Sequence, residues 1–226
     1  LAKYGLDYAS LAAIKPDLMY CSITGFGQYG PYAPKGGYDF LIQGMSGLMS
    51  VTGLPDDAPG GGPMKVGVPT VDLSTGLYAA VSILAALRHR DRTGEGQHID
   101  CALLDTQVAL MTNQASNWLN GGMAPQRMGN AHPNLLPYQD FRCADGVVLV
   151  ALGNDRQFRD FCVLLGVPEL ADDPRYVTNA ARSAHRGALI TALEARTLGW
   201  DADALIAAMD TAKLPGGKVN SVPEIM

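Results

Sequence analysis

The feature that most constrains the fold is a stretch in the first half of the chain, Leu73 to Arg92, which is apolar nearly all round and closed at both ends by helix signals. Thr70-Val71-Asp72 supplies acceptor side chains at its head. Arg88, Arg90 and Arg92 place cations near its tail, and Gly94 follows. A helix that is apolar on every side is expected to lie buried among other elements. Before it, residues 8–13 read as a short helix, Pro16-Asp17 as a break, and Leu18 to Ile23 as an apolar run of strand length. Tyr38 to Met49 reads as a further buried helix, small at Gly44 and Gly47. After the long helix, Gln97 to Cys101 reads as a short strand and Ala102 to Leu119 as a second long helix. Strands alternating with helices call for an α/β architecture whose strand ends feed ligand loops.

The character changes after Gly121-Gly122-Met123-Ala124-Pro125. Tyr138 to Phe141 and Val147 to Leu152 flank the turn Asp145-Gly146 as a hairpin, and helices are expected over 155–165, 180–196 and 201–209. The expected organisation is part of a large Rossmann-like α/β domain over 1–120, a linker over 121–130, and a smaller α+β domain over 131–226. A start at Leu1 rather than Met, and an end at Met226 directly after Val-Pro-Glu-Ile, read as an internal fragment.

With 47% hydrophobic and 17% charged residues in 226, the chain can bury a sizeable core. A net charge of -5 supplies no basic field for nucleic acid or an anionic membrane. Cys21, Cys101, Cys143 and Cys162 lie far apart, without the spacing of a zinc site or the density of a disulfide scaffold, which fits a reducing cytoplasm. His89, His98, His132 and His185 form no HxxxH pattern, so no metal is expected. The longest unbroken apolar run, Gly76 to Leu87, is too short to cross a bilayer, and no signal peptide opens the chain. A soluble cytoplasmic protein is the expectation.

Several motifs carry two readings. Gly25-Phe-Gly27-Gln-Tyr-Gly30 satisfies GxGxxG after a strand, but Pro31 and Pro34 follow where a dinucleotide fingerprint needs a helix. It is a structural turn or a backbone-lined loop beside another ligand. Asp72 is either a helix N-cap or an ionised nucleophile favoured by the helix N-terminus. Tyr38 is either a core tyrosine or a hydroxyl facing a site. Ser46 fails the GxSxG pattern of a hydrolase. Gly129-Asn-Ala-His132-Pro-Asn134 is either a connector or a mobile lid.

Taken in order, Tyr20-Cys-Ser-Ile-Thr-Gly-Phe-Gly-Gln-Tyr-Gly-Pro31, Gly37-Tyr-Asp-Phe40, Gly47-Leu-Met-Ser-Val-Thr-Gly53, Gly67 to Gly76 around Asp72, His89-Arg-Asp-Arg-Thr-Gly-Glu-Gly-Gln97, and Gly129 to Gln139 resemble the family III CoA-transferases. This is the CaiB/BaiF family, which includes formyl-CoA transferase. The resemblance implies a full-length chain about twice this length that forms an interlocked homodimer, with much of the CoA-binding half preceding Leu1. It implies acyl-CoA and carboxylic acid substrates, with the CoA thioester as substrate and no prosthetic group. Asp72 falls at the catalytic aspartate, which passes through an acyl anhydride and an aspartyl-CoA thioester. Gly25, Gly27 and Lys35 are implied on the CoA side; Tyr38, Gly129, Asn130 and His132 are implied on the acyl side. The block at 129–134 lacks the glycine run by which formyl-CoA transferase shields its intermediate.

The related α-methylacyl-CoA racemases place a histidine where Tyr38 stands. A phenol, which ionises near about 10 in model peptides, is a poor base at neutral pH. Racemisation therefore remains the alternative within the family, and a non-catalytic CoA-binding or assembly fragment the alternative outside catalysis. The run His132 to Gln139 resembles members that use dicarboxylic acids such as succinate, with Arg127 a candidate for pairing with the anion.

Overall fold

A computed structural model describes residues 1–226, which divide into two compact units, Leu1–Gly129 and Asn130–Met226. In the first unit, helix α1 (Tyr8–Ile14) is capped by Asp7, whose carboxylate accepts from the Ser10 amide at 3.1 Å. Strand β1 (Met19–Thr24) follows. The segment 25–37 contains no helix or strand. Helix α2 (Asp39–Met45) and the single turn α3 (Leu48–Val51) come next, then the long helix α4 (Thr70–Thr93) and strand β2 (Gln97–Ala102). Helices α5 (Leu103–Ala109) and α6 (Thr112–Gly121) close the unit. Strands β1 and β2 pair in parallel, with Met19 opposite Gln97 and Thr24 opposite Ala102.

Helix α4 has 24 residues, so it is about 36 Å long. It ends at Gly94, whose left-handed conformation returns its N–H to the Arg90 carbonyl. The helix is not buried on all sides. Val71, Thr75, Ala79 and Ala86 are buried, and α4 packs on β1, β2, α2 and α5. These residues are small or β-branched and fall on one stripe, which lets the helix lie close to the strand pair. Leu73, Leu77, Val81 and Leu84 stay more than half exposed on other faces. A two-stranded sheet offers α4 one surface, so one stripe is all it covers. The helix also outlasts its apolar run: with a mean hydropathy of 1.5 over 18 residues it is long and apolar enough, by length and composition, to cross a membrane. The expectation that the run is too short does not hold for the whole helix.

Three expected helices are broken, each for a local reason. Gly47 takes a φ of 90° and separates α2 from α3. The Leu110 amide is shared between the Thr106 and Gln107 carbonyls at 3.1 Å each, which tightens the end of α5 before Thr112 adopts a φ of 33°. In the second unit the span 180–196 divides at His185, whose ring Nδ1 bonds the Ala181 carbonyl at 2.9 Å. A continuous helix would give that carbonyl to the His185 amide, which turns instead to Arg182.

The second unit is built on an antiparallel sheet of β3 (Tyr138–Arg142), β4 (Val147–Ala151) and β5 (Gly216–Lys218), with β4 central. Val148 and Val150 alternate inward from β4 as a pleated strand requires. Helices α7 (Asp155–Leu164), α8 (Glu169–Asp172), α9 (Asn179–Ala184), α10 (Arg186–Thr197) and α11 (Ala202–Thr211) cover it, and α12 (Val222–Ile225) ends the chain. Phe141, Phe158, Phe161, Leu189, Leu193 and Leu205 are essentially inaccessible and form one core with the sheet. Asp145 of the hairpin turn accepts the Ala202 amide at 2.8 Å, tying the turn to the start of α11. All four cysteines are free thiols; burial pushes Cys162 up to about 12, which leaves it inert as a nucleophile at neutral pH.

Candidate active site

The first unit assembles its candidate residues through two glycines. The loop after β1 passes the loop before α2 so closely that a Cβ on Gly25 would enter the backbone of Gly37, and the reverse holds as well. The Gly25 carbonyl also accepts the Leu104 amide at 3.1 Å. Two residues on from Gly37, Asp39 opens α2 and reaches the start of α4. Its Oδ2 accepts from the Val71 amide at 2.8 Å and from the Asp72 amide at 3.3 Å. Its Oδ1 accepts from Gln43 Nε2 at 2.6 Å, and Gln43 Oε1 in turn accepts the Val66 amide at 2.8 Å. Gln43 is fully buried, so its two bonds lie at the inner end of a chain that opens to water at Asp72.

Asp72 therefore is not the N-cap of α4. The cap position is Pro69, and Asp72 stands at the third residue of the first turn. Asp39, distant in sequence, satisfies the amides that an N-cap side chain would take. Asp72 is solvent-exposed, and none of the bonds at the head of α4 involves its carboxylate. An acid in the first turn is favourably placed against the helix macrodipole. The result is an anchored backbone carrying a free carboxylate.

Tyr38 immediately precedes α2 and is 78% exposed, so it is not a core tyrosine. Gly27 has a φ of 83°, and its amide donates to Thr24 Oγ1 at 3.0 Å. The next amide, Gln28, donates to Asp100 Oδ2 at 2.8 Å, fixing the loop to β2. Lys35 lies over the Tyr32 ring, 3.9 Å from its centroid, with its ammonium exposed. Gly129 donates its amide to the Gly53 carbonyl at 3.0 Å. Arg127 pairs with Asp56 and donates to the Ser50 carbonyl at 3.2 Å, so its charge is already answered.

Asn130 and His132 belong to the second unit. Asn130 is exposed. His132 Nδ1 accepts from the Asn134 and Leu135 amides, both at 3.0 Å, and its ring packs 5.1 Å from that of Tyr138. Burial, and then the charge of Arg186, hold the imidazole below its ordinary pKa.

Asp39 and Gln43 were not singled out by the sequence. Their signal was present: a polar pair at i and i+4 inside an apolar helix, which needs a reason to be there. Asp39→Ala is expected to lower the unfolding free energy by about 1–2 kcal/mol, as loss of a helix cap does. Urea unfolding checks this. Asp72→Ala, in the same turn but without such bonds, is expected to leave stability unchanged.

A family model described as CoA-transferase family III matches residues 1–226. The chain is 52% identical over 225 residues to the succinate–glutarate CoA-transferase of Agrobacterium fabrum, covering 100% of this chain and 55% of that protein. It is 41% identical to the succinyl-CoA:glutarate CoA-transferase of Mus musculus, covering 100% of this chain and 51% of the relative. A solved CaiB/BaiF family protein from Brucella suis superposes with a TM-score of 0.79 at 52% identity, over 100% of this chain and 58% of that one. The chain thus spans about half the length of the curated relatives it matches. With a model match along its whole length and the same fold in a solved relative, the chain belongs to CoA-transferase family III.

Proposed function

We propose that the protein moves CoA between dicarboxylic acids, with Asp72 as the covalent carrier. The observation that carries this reading is the division of labour at the head of α4. Asp39 takes the backbone amides, and the Asp72 carboxylate is left unengaged. The dicarboxylate class is supported by the substrates for which the Agrobacterium and mouse relatives are named.

In this mechanism a carboxylate oxygen of Asp72 attacks the thioester carbonyl of the donor. The C–S bond breaks, leaving a mixed anhydride and CoA thiolate. The thiolate attacks the aspartyl carbonyl and expels the donor acid, giving an aspartyl-CoA thioester. The acceptor carboxylate then attacks that thioester, which releases CoA thiolate and forms a second anhydride. Attack of the thiolate on the acceptor carbonyl yields the new acyl-CoA and restores Asp72. Each step exchanges one activated acyl bond for another, so the energy of the thioester is kept as long as water is excluded.

Gly25, Gly27 and Lys35 are assigned to the CoA side, where a backbone-lined loop and an exposed ammonium suit phosphates. Tyr38, Gly129, Asn130 and His132 are assigned to the acyl side. The apolar residues that α4 leaves exposed support a covering partner, which the resemblance implies is the second copy in an interlocked dimer. A tyrosine rather than a base at position 38 argues against racemisation.

Incubating the intact protein with succinyl-CoA and glutarate tests the reading. Glutaryl-CoA is expected to appear as succinyl-CoA is consumed. Release of free CoA without transfer would overturn it.

A further inference from the structure

The head of α4 has no side-chain cap of its own. Pro69 stands at the cap position and carries no acceptor beyond its backbone. Every amide of the first turn is nevertheless answered: Thr70 donates to the Val68 carbonyl at 2.8 Å, Val71 and Asp72 to Asp39, and Leu73 to the Pro69 carbonyl at 3.1 Å. Where Asp72 stands therefore depends on a side chain of α2. Whatever holds that side chain belongs to the site as well.

Asp39 is held by Gln43, one helical turn on, and Gln43 can serve in only one orientation. The Val66 amide can only donate, so the Gln43 atom that faces it at 2.8 Å is Oε1. Nε2 then faces Asp39 Oδ1 at 2.6 Å and donates to it. Turning the side-chain amide over would set N–H against N–H at Val66 and oxygen against oxygen at Asp39. Gln43 is 1% exposed, so water cannot replace a lost partner there. Both ends of the segment 66–72 are thus held by one helix: Val66 by Gln43, Val71 and Asp72 by Asp39.

We propose that Gln43 is a positioning residue for CoA transfer, which through Asp39 sets where α4 presents the Asp72 carboxylate. This role rests on the reading of Asp72 as the covalent carrier. The carboxylate must first reach the thioester carbonyl and then present its own carbonyl to the CoA thiolate, and a misplacement of about 1 Å can cost on the order of 100-fold in rate. Gln43 is uncharged and bonds Asp39 and Val66, not Asp72. It acts by the direction of its hydrogen bonds, and its loss is felt in kcat rather than in the binding of acyl-CoA.

The test exchanges the two polar groups. Gln43→Glu alone sets two carboxylates against each other, and Asp39→Asn alone sets two amide N–H groups against each other. Both changes together restore every pair: the new amide at position 39 accepts from Val71 and Asp72 and donates to the new carboxylate at position 43, which accepts from Val66. With succinyl-CoA and glutarate, each single variant of the intact protein is expected to lower kcat about 10- to 100-fold, with KM for succinyl-CoA changed by no more than about 2-fold. The double variant is expected to recover most of the lost kcat. Gln43→Met removes both bonds without adding a charge; it should lose kcat like the single variants, and serves if the double variant does not fold. Wild-type kcat in folded Gln43→Met, a loss carried by KM instead of kcat, or a double variant that regains its stability to urea but not its kcat overturns the positioning role and leaves the transferase reading intact. Wild-type protein that transfers no CoA overturns that reading, and the positioning role with it.

Discussion

Asp72→Ala is expected to lower kcat for CoA transfer by on the order of 10^4-fold or more while leaving the fold intact. The size follows from the role: with no carboxylate there is no anhydride and no aspartyl thioester, and no neighbouring bond replaces them. The sparing of the fold follows from the structure. Asp72 is exposed, its carboxylate holds no backbone group, and the amides of its turn are met by Asp39. Unfolding free energies of wild type and variant should agree within about 0.5 kcal/mol. Asp72→Asn should behave in the same way, because the amide keeps the shape of the side chain and loses the nucleophilic oxygen.

The second large effect is structural. Arg182 is 1% exposed and ties three separate segments together. Its Nε donates to the Leu136 carbonyl at 2.6 Å, Nη1 to the Tyr176 carbonyl at 2.9 Å, and Nη2 to Asp155 at 2.7 Å. The guanidinium also lies 4.5 Å from the centroid of the Phe158 ring. Arg182→Ala removes all of these and strands two carbonyls and an acid. A loss of about 3–5 kcal/mol is expected for the second unit in urea unfolding. Arg142→Ala is the control. Its bidentate pair with Glu194, at 2.8 and 3.0 Å, is largely exposed on the arginine side, so its loss should shift the urea midpoint far less than Arg182→Ala does.

Elements written in local patterns were legible from the sequence. The long helix over 70–93, both strands of the parallel pair, the hairpin around Asp145-Gly146 and the helix over 155–164 all have a periodicity or a turn signal of their own. Strand β5 was missed because Gly216-Gly217-Lys218 has no β-propensity and is a strand only by virtue of β4 beside it. The three broken helices were read as continuous because the competing bonds come from single groups, such as the His185 ring, that leave the apolar pattern untouched.

For the site, Asp72 stood out because an acid precedes a long apolar helix. Whether it caps that helix was undecidable from position alone. Asp39 settles this, 33 residues earlier in the chain, and such a partner has no local signature.

The central claim is that Asp72 becomes covalently bound to CoA during turnover. Intact protein mixed with succinyl-CoA, quenched and digested, is to be examined by mass spectrometry, with and without hydroxylamine. A CoA thioester on the Asp72 peptide, converted by hydroxylamine to the hydroxamate and absent in Asp72→Ala, is the expected result. A CoA adduct on a different residue, or transfer that survives Asp72→Ala, would contradict the account.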